Sequence, residues 1–437
     1  MESLYTYLIF FVLLGVLAVP YWIRVAKHQR EAHERLTKSK QSGIITPVTL
    51  HPHIDLAKCI GCASCVKVCP ESVLGIVNGR ATIVSGLKCV GHALCVDVCP
   101  VGAITMGFGS PKQGEEIPWY DENYQTNVPG LYITGELGGI GLIKNAVAQS
   151  MRAVQNIIQK NVKDGRQNYD VVIAGAGPAG LTAALAAHAN GMRYTVLEQG
   201  SIGGTIFHYP RQKLVLTGQV ELPLYGKLKF SEIAKEELLK IWLGIIQTNK
   251  LNIQTNAKLE SISPIQGGFQ VGFSGSTITT KNIILALGRR GSPRKLSVPG
   301  EEQSKVTYQL NDAEAYVQKR ILIVGGGDSA IEAAIALARQ KGNTVTISYR
   351  RSEFIRLKEK NEKQIKDLMH SKKIKALFNS QVQDIKSDSV LLKEEPDHIH
   401  TLGNDFVFVF AGGELPIELL KRTGVRLRTE EYNQQAA

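Results

Sequence analysis

The pattern of apolar and polar positions divides the chain before any motif is considered. Ser3 to Ile23 are 21 consecutive uncharged residues that include LIFFVLLGVLAV. As a helix rising about 1.5 Å per residue they reach roughly 30 Å, the thickness of a bilayer's hydrocarbon core. No positive charge precedes the run, and its far end reads PYWIRVAKHQR, so the pattern predicts a retained anchor rather than a cleaved signal peptide. Tyr21 and Trp22 suit the interface, and Arg24, Lys27, Arg30 and Arg35 follow, which places the bulk of the chain in the cytoplasm below a single inner-membrane span. Residues 24 to 50 are charged and polar and read as a helical stalk or linker. Two later stretches repeat another pattern: a buried strand (Asp170 to Ala174), an alanine-rich helix, and a second strand (Tyr194 to Leu197), and then the same alternation from Arg320.

Charge and cysteine usage narrow the chemistry. The formal charge is +12 with 7% aromatic residues, and no nucleic-acid module is present. A positive surface of this kind suits anionic lipid, acidic redox partners or nucleotide phosphates. All seven cysteines lie between Cys59 and Cys99. A disulfide scaffold would spread them. Confinement at metal-ligand spacing indicates a cofactor held by thiolates in a reducing compartment.

The cysteines belong to a repeat with a 30-residue period, CIGCASCVKVCP from Cys59 and CVGHALCVDVCP from Cys89, identical at eight of twelve positions. The units are followed by the apolar stretches SVLGIV and VGAITM. A zinc site pairs short knuckles across longer gaps and does not account for two tandem quartets that end in Cys-Pro. The repeat resembles the bacterial ferredoxins with two 4Fe-4S clusters, in which three thiolates spaced by two residues hold one cluster and the cysteine before proline reaches the other. The resemblance implies one cluster on Cys59, Cys62, Cys65 and Cys99, and another on Cys89, Cys95, Cys69 and position 92. Histidine at that position departs from the family. Three outcomes follow for His92: ligation of the fourth iron, a three-iron cluster, or no second cluster. The intact Cys69, Cys89 and Cys95 argue against the last, and ligation is the expectation.

The strand–helix stretches carry nucleotide chemistry. After the first strand comes Gly175-x-Gly177-x-x-Gly180, and the second strand ends in Glu198. Glycines there allow a tight turn and close approach of backbone to pyrophosphate at a helix N-terminus, and the acid is placed for adenosine ribose hydroxyls. In the second unit Gly325, Gly327 and Ala330 hold the fingerprint positions, and the strand ends in Tyr349-Arg350-Arg351. Guanidinium groups there would pair with a 2′-phosphate and favour NADPH over NADH, the other reading being a solvated basic turn.

Two such units in one chain resemble the two-dinucleotide-binding flavoprotein reductases, especially the thioredoxin-reductase-like branch, over roughly residues 119 to 425. The resemblance implies FAD at the first unit, with Gly203 and Gly204 near the flavin ring and Gly288 on the strand returning between domains. The stretch TNVPGLYITGELGGIGLIKNAVAQS, residues 126 to 150, looks like the family's C-terminal flavin segment, with Gly135 and Glu136 near the ribityl and pyrophosphate region. It precedes the first glycine motif, and the chain ends where that segment would normally follow. The order implies a circular permutation in which residues 119 to 160 complete the FAD domain. The alternative is a relic that packs elsewhere.

The departures from the family matter. The second unit has no Cys-x-x-Cys, and Ala179 stands in GAGPAG where bacillithiol-disulfide-type reductases carry cysteine. Without a nucleophilic sulfur neither thiol route operates, so electrons are expected to leave through the iron–sulfur module. His28, His33, His51 and His53 read as solvated linker residues. Asp328 and Glu332 read as charges complementing a helix N-terminus, with no catalytic role.

The expected fold is α/β: two Rossmann-like domains for FAD and NAD(P), a small α+β ferredoxin-like module and one N-terminal transmembrane helix. Its parts are an anchor (1–26), a linker (27–50), the iron–sulfur module (51–107), a linker with the permuted segment (108–165), the FAD domain (166–300) and the NAD(P)H domain with a return to the FAD domain (301–437). The expected function is electron exchange between NADPH (or NADH), FAD and two iron–sulfur clusters, to or from a redox protein or membrane complex. The alternatives are a disulfide reductase that borrows a partner's thiols and a non-enzymatic membrane-tethered sensor. Direction of flow is open, as is a homodimer.

Overall fold

The thirty-residue repeat folds as a pseudo-two-fold pair. In the computed structural model, which describes residues 2–41, 50–107, 117–139, 141–160, 167–216, 220–228, 230, 232–289, 292–355, 357–414 and 416–428, the chain forms two compact units, Met1–Gly109 and Ser110–Ala437. The first holds helix α1 (Glu2–Gln41), strand β1 (His51–Ile54), helix α2 (Ser64–Val68), strands β2 (Leu74–Val77) and β3 (Arg80–Ile83), helix α3 (Leu94–Asp97) and strand β4 (Ile104–Gly107). β1 pairs antiparallel with β4, and β2 with β3 through a turn at Asn78-Gly79, both in the left-handed region that such a hairpin requires. The short helices start after Ala63 and Ala93, at φ 61° and 62°. Cys59, Cys65, Leu74, Ala81, Cys95 and Ile104 share the core.

Of the helical stalk or linker expected for residues 24 to 50, α1 supplies the helix as far as Gln41. The helix runs unbroken through Pro20 to Gln41, and its second half is docked on the module. Ala32 and Leu36, one turn apart, bury against Val84. Gly75 is glycine because the helix comes so close: a methyl there would lie 2.8 Å from Ala32 Cβ. Arg35 Nη1 donates to the Ser72 carbonyl at 3.2 Å, and Ser39 Oγ to that of Val84 at 2.7 Å. Nor is His51 a solvated residue, being only 2% exposed within β1. Among the described residues no helix is long and apolar enough to cross a membrane. Most side chains of residues 3–23 lie outside those described, although Val16 and Trp22 are 63% and 69% exposed.

The second unit continues with β5 (Ile117–Pro118), β6 (Leu131–Ile133), α4 (Ile143–Lys160), β7 (Tyr169–Ala174), α5 (Pro178–Ala189) and β8 (Tyr194–Leu197). Four short strands follow, β9 (Leu214–Leu216), β10 (Val220–Leu222), β11 (Gly226–Leu228) and β12 (Glu232–Ala234), then α6 (Lys235–Thr248), β13 (Ile253–Gln254), β14 (Leu259–Ile265), β15 (Gly268–Phe273) and β16 (Ser276–Leu285). Their main sheet runs β13-β8-β7-β16-β15-β14, and β6 pairs in parallel with the end of β16, Leu131 opposite Ile283. β6 precedes every other strand of this sheet in sequence, yet it sits beside the returning strand. α4 accompanies it: Ile143, Val147, Val154 and Ile157 recur at helical spacing and enter the same core as Val171, Ile173, Leu181 and Leu185.

After β17 (Ser292–Pro293), the second Rossmann layer is built from β18 (Val306–Thr307), β19 (Arg320–Val324), α7 (Asp328–Ala338), β20 (Thr344–Ser348), α8 (Glu359–His370) and β21 (Ile374–Leu377). The strands β22 (Ser380–Ile385), β23 (Ser389–Glu394) and β24 (His398–Gly403) form a meander before β25 (Phe406–Val409) returns. The parallel order is β18-β25-β19-β20-β21, with its own core around Ile321, Ile323, Ala330, Ile331 and Phe408. Near the chain end Leu427 and Arg428 pair with β5, so residues 117–118 and 427–428 lie side by side.

Candidate functional site

At the first glycine loop the backbone leaves no room for a side chain at Gly175 or Gly180. Gly175 sits at φ 107°, and a Cβ on it would come within 2.4 Å of the Ala286 carbonyl. One on Gly180 would lie 1.8 Å from the Gly175 oxygen, so the helix packs directly on the turn. Gly203 and Gly204 face this loop: Gly203 N donates to the Ala176 carbonyl at 2.9 Å, and a Cβ on Gly204 would meet Gly177 Cα at 3.1 Å. From the other side comes Gly135, whose missing Cβ would lie 3.0 Å from that of Ala179. Gly135 N is held by Gln149 Oε1 at 2.7 Å. The structure therefore gathers Gly135, Gly175, Gly177, Gly180, Gly203 and Gly204 around one closely packed backbone cradle at the N-terminus of α5. That is what a dinucleotide pyrophosphate needs.

Glu198 closes this cradle at the end of β8. It is 7% exposed, and its carboxylate accepts from Ala176 N at 2.7 Å and Gly200 N at 2.8 Å. Lone pairs remain on both oxygens for ribose hydroxyls. Glu136 is exposed in the turn Gly135–Gly138, and Gly288 stands after β16 at φ 67° with open space around it. Two buried hydroxyls in this segment, Thr134 Oγ1 and Ser150 Oγ, have no hydrogen-bond partner among the described residues. Neither hydroxyl is marked by any periodicity or motif in the chain.

The second loop has the same turn with different surroundings. Gly325 sits at φ 135°, where a Cβ would approach the Phe410 carbonyl to 2.5 Å, and Ala330 is buried at the helix–sheet contact. Gly327 faces open space. The Tyr349 ring lies over Gly326, so close that a methyl there would be 2.5 Å from it, and Tyr349 stacks on Phe354 at 5.6 Å. No sequence pattern marks this aromatic cover, because the strand-end position points only to the arginines. Arg350 is exposed and Arg351 half-buried beside it, and neither forms an ion pair among the described residues. Asp328 accepts from Lys358 N and Asn361 Nδ2 at 3.0 and 2.7 Å, while Glu332 pairs with Lys213 at 2.7 Å. Their positions are structural, joining α7 to α8 and to the segment before β9.

The cysteines line two places in the module. Cys65 lies within electrostatic reach of Cys59 and Cys62, and also of Cys95, while Cys69, Cys89 and Cys95 lie within reach of one another. A cavity is lined by Cys69, Cys89, Cys95 and His92, together with Glu71 and Met106. Amide groups already point at sulfur: Val73 N to Cys69, Ala103 N to Cys99 and Ala81 N to Cys59, at 3.4, 3.2 and 3.4 Å. Burial pushes the Cys65 and Cys95 thiols up to about 11, and raises Cys89 as well. The Ser64 hydroxyl, 3.5 Å from the exposed Cys62 sulfur, lowers that thiol. Such buried sulfurs become thiolates only when metal cations supply the opposing charge. Among the described residues no three His, Cys, Asp or Glu side chains close on a single ion. Thiol sulfurs in two repeated sets, with backbone amides directed at them, are the donor set that iron–sulfur clusters take.

Fold and cradles together define an FAD- and NAD(P)-dependent oxidoreductase with a two-cluster 4Fe-4S domain. The chain belongs to the family described as pyridine nucleotide-disulphide oxidoreductase, matched over residues 172–436, with a 4Fe-4S dicluster domain matched over residues 52–106. It is 25% identical over 264 residues to bacilliredoxin reductase of Bacillus subtilis, covering 59% of this chain and 81% of the relative. It is 28% identical over 270 residues to a ferredoxin–NADP reductase of Ignicoccus hospitalis, covering 60% and 83%. Among solved structures, the bacillithiol disulfide reductase of Bacillus cereus superposes with a TM-score of 0.55 at 25% identity, over 60% of this chain and 82% of that one.

Proposed function

We propose that this protein moves electrons between NADPH and a one-electron redox partner, using FAD as the two-electron station and the two clusters as the one-electron path. The cysteine inventory carries this reading: all seven are in the module and none lies in the reductase portion, where the thiol chemistry of a disulfide reductase would need them. FAD supplies the change from hydride to single-electron chemistry when bound. The residues do the rest. The glycine cradle of Gly135, Gly175, Gly177, Gly180, Gly203 and Gly204 presents backbone to the pyrophosphate, Glu198 orients the ribose, and Gly325, Gly327 and Ala330 do the same for the nicotinamide nucleotide. Arg350 and Arg351 are read as the pair that selects the 2′-phosphate. Ferredoxin–NADP reductases among the relatives make a ferredoxin-like partner the natural class.

The permuted order belongs to the same reading. The family match starts at residue 172, while β6 and α4 lie before it and pack into the same core. We read residues 119–160 as doing for this FAD site what a C-terminal segment does in the unpermuted order. The membrane anchor is likewise a proposal, supported by the uncharged run 3–23, the basic collar after it and the exposed Trp22.

Anaerobic titration with NADPH tests the function. Bleaching of both flavin and cluster absorbance is expected. Flavin bleaching with clusters left oxidised favours a disulfide reductase served by a partner's thiols, and no bleaching favours a sensor.

A further inference from the structure

We infer that the imidazole of His92 is the fourth ligand of the second cluster, and that this makes the two clusters unequal electron acceptors. Two independent observations carry it. The first is backbone symmetry. Gly61 and Gly91 adopt φ 69° and 76°, and Ala63 and Ala93 adopt 61° and 62°. The residue between each pair is Cys62 in one repeat and His92 in the other. A side chain at position 92 therefore leaves the chain as Cys62 does, toward its own set of three sulfurs. The second is the cavity itself, which His92 lines together with Cys69, Cys89 and Cys95.

Glu71 and Met106 also line that cavity and are the competing ligands. The repeat discriminates among them. Thirty residues along the chain, the counterpart of Glu71 is Val101, and the counterpart of Met106 thirty residues back is Ile76. Neither Val101 nor Ile76 carries a side-chain donor atom, whereas the counterpart of His92 is a cysteine. Imidazole is also the better donor to iron than a thioether, and unlike a carboxylate it brings no charge.

The charge has a consequence. A neutral ring in place of a thiolate removes one negative charge from the second site's ligands, so that site takes up an electron more readily than the first, the direction histidine imposes in other iron–sulfur centres. The second site is then where an electron rests. The first, with Cys62 and the neighbouring Ile60 exposed (Ile60 60%), is where it is exchanged.

The inference rests on the dicluster reading of residues 52–106. The test uses the full chain, purified anaerobically, as wild type, His92→Cys and Glu71→Gln. Iron and sulfide are counted, the reduction steps are resolved by redox-poised EPR, and nitrogen coupling to the reduced clusters is measured with 15N-histidine. Expected for wild type are about eight irons per chain, two separated one-electron steps, and histidine nitrogen coupling on the more positive one. In His92→Cys the iron count holds, the coupling vanishes, and the more positive step moves to lower potential toward the other. Glu71→Gln keeps both the iron count and the nitrogen coupling. Full iron without nitrogen coupling overturns the role of His92 alone, as does a three-iron signal near seven irons per chain. Loss of the more positive step in Glu71→Gln transfers the role to Glu71. Absence of any cluster overturns the dicluster reading instead.

Discussion

Glu198 and Tyr349 stand at equivalent places, just beyond the second strand of each Rossmann unit, and there the two halves of the reductase part company. In the first half the side chain is an acid, buried and turned back onto the glycine loop, where two backbone amides fix it. In the second an aromatic ring covers the loop at Gly326, and exposed guanidinium follows at Arg350. The first cradle is enclosed from a third side as well, by Gly135 from a segment that precedes it in sequence, whereas Gly327 faces open space. The difference matches the residence of the two nucleotides. A cofactor that stays is walled in by backbone, and a nucleotide that comes and goes meets an open loop with a charge at its edge.

The largest effect should come from removing the wall. A chain beginning at residue 167 loses Tyr132, Ile143, Val147, Val154 and Ile157 from the core. At roughly 1.5–3 kcal/mol for each buried side chain this amounts to about 8–15 kcal/mol, comparable with the whole stability of a domain. That shortened chain should be unstable and free of flavin. Full FAD occupancy would show that the segment serves another purpose.

Next in size is the contrast between the loops themselves. Gly180→Val should abolish flavin binding, because even its Cβ would overlap the Gly175 carbonyl, while Gly327→Ala, with nothing within 4 Å, should leave the fold and FAD content unchanged. Flavin absorbance per protein reads both. Full flavin content in Gly180→Val would show that the turn can open to admit a side chain.

Replacing Arg350 and Arg351 with glutamine should raise KM for NADPH about 10–100-fold, the loss of one or two charge-assisted contacts, and leave NADH nearly unaffected. Parallel losses for both nucleotides would make the arginines a solvated basic turn.

The smallest effect concerns ion pairs at the feet of the first strands. Asp405 accepts hydrogen bonds from the Arg320 guanidinium, the closest contact 2.7 Å, which hold its carboxyl down to about 2. In the other unit burial pushes Asp170 up, but Arg193 at 2.8 Å outweighs it and the carboxyl stays low. Both groups ionise more easily folded than unfolded. Their stabilisation is complete above the ordinary aspartate value and is lost as pH falls through the folded value, near 2 for Asp405. Asp405→Asn should cost only about 0.5 kcal/mol at pH 7, because the pair is solvent-screened, and should flatten the acid limb of an unfolding curve. A loss of several kcal/mol would mean the pair is more deeply desolvated than it stands.

Much of this was legible in the sequence because it depends on local spacing. Cysteines three apart, glycines in a strand-to-helix turn and an acid at a strand end each encode geometry within a few residues, and the structure gathers them as that spacing implies. Even the placing of residues 126–150 could be read, through the resemblance of TGELGG to a flavin segment. Contacts across distant segments could not. Nothing in the charged stretch after Arg24, which reads as a helical stalk or linker, announces that Ala32 packs on Gly75, 43 residues away. Tyr349 over Gly326 and the buried hydroxyls of Thr134 and Ser150 are equally silent, since a single aromatic or hydroxyl residue carries no periodicity. The membrane segment remains the reverse case: its pattern is strong, and the side chains that would carry it lie largely outside those described.

The central claim, that electrons pass between NADPH and the clusters by way of FAD on one chain, is tested most directly by the EPR signal of reduced clusters after anaerobic addition of NADPH to wild type and to Gly180→Val. Dithionite serves as the control that the clusters are reducible in both. The account predicts an NADPH-driven cluster signal in wild type and none in the flavin-free variant. Clusters that stay oxidised in wild type while the flavin bleaches, or that NADPH reduces equally well without FAD, would contradict it.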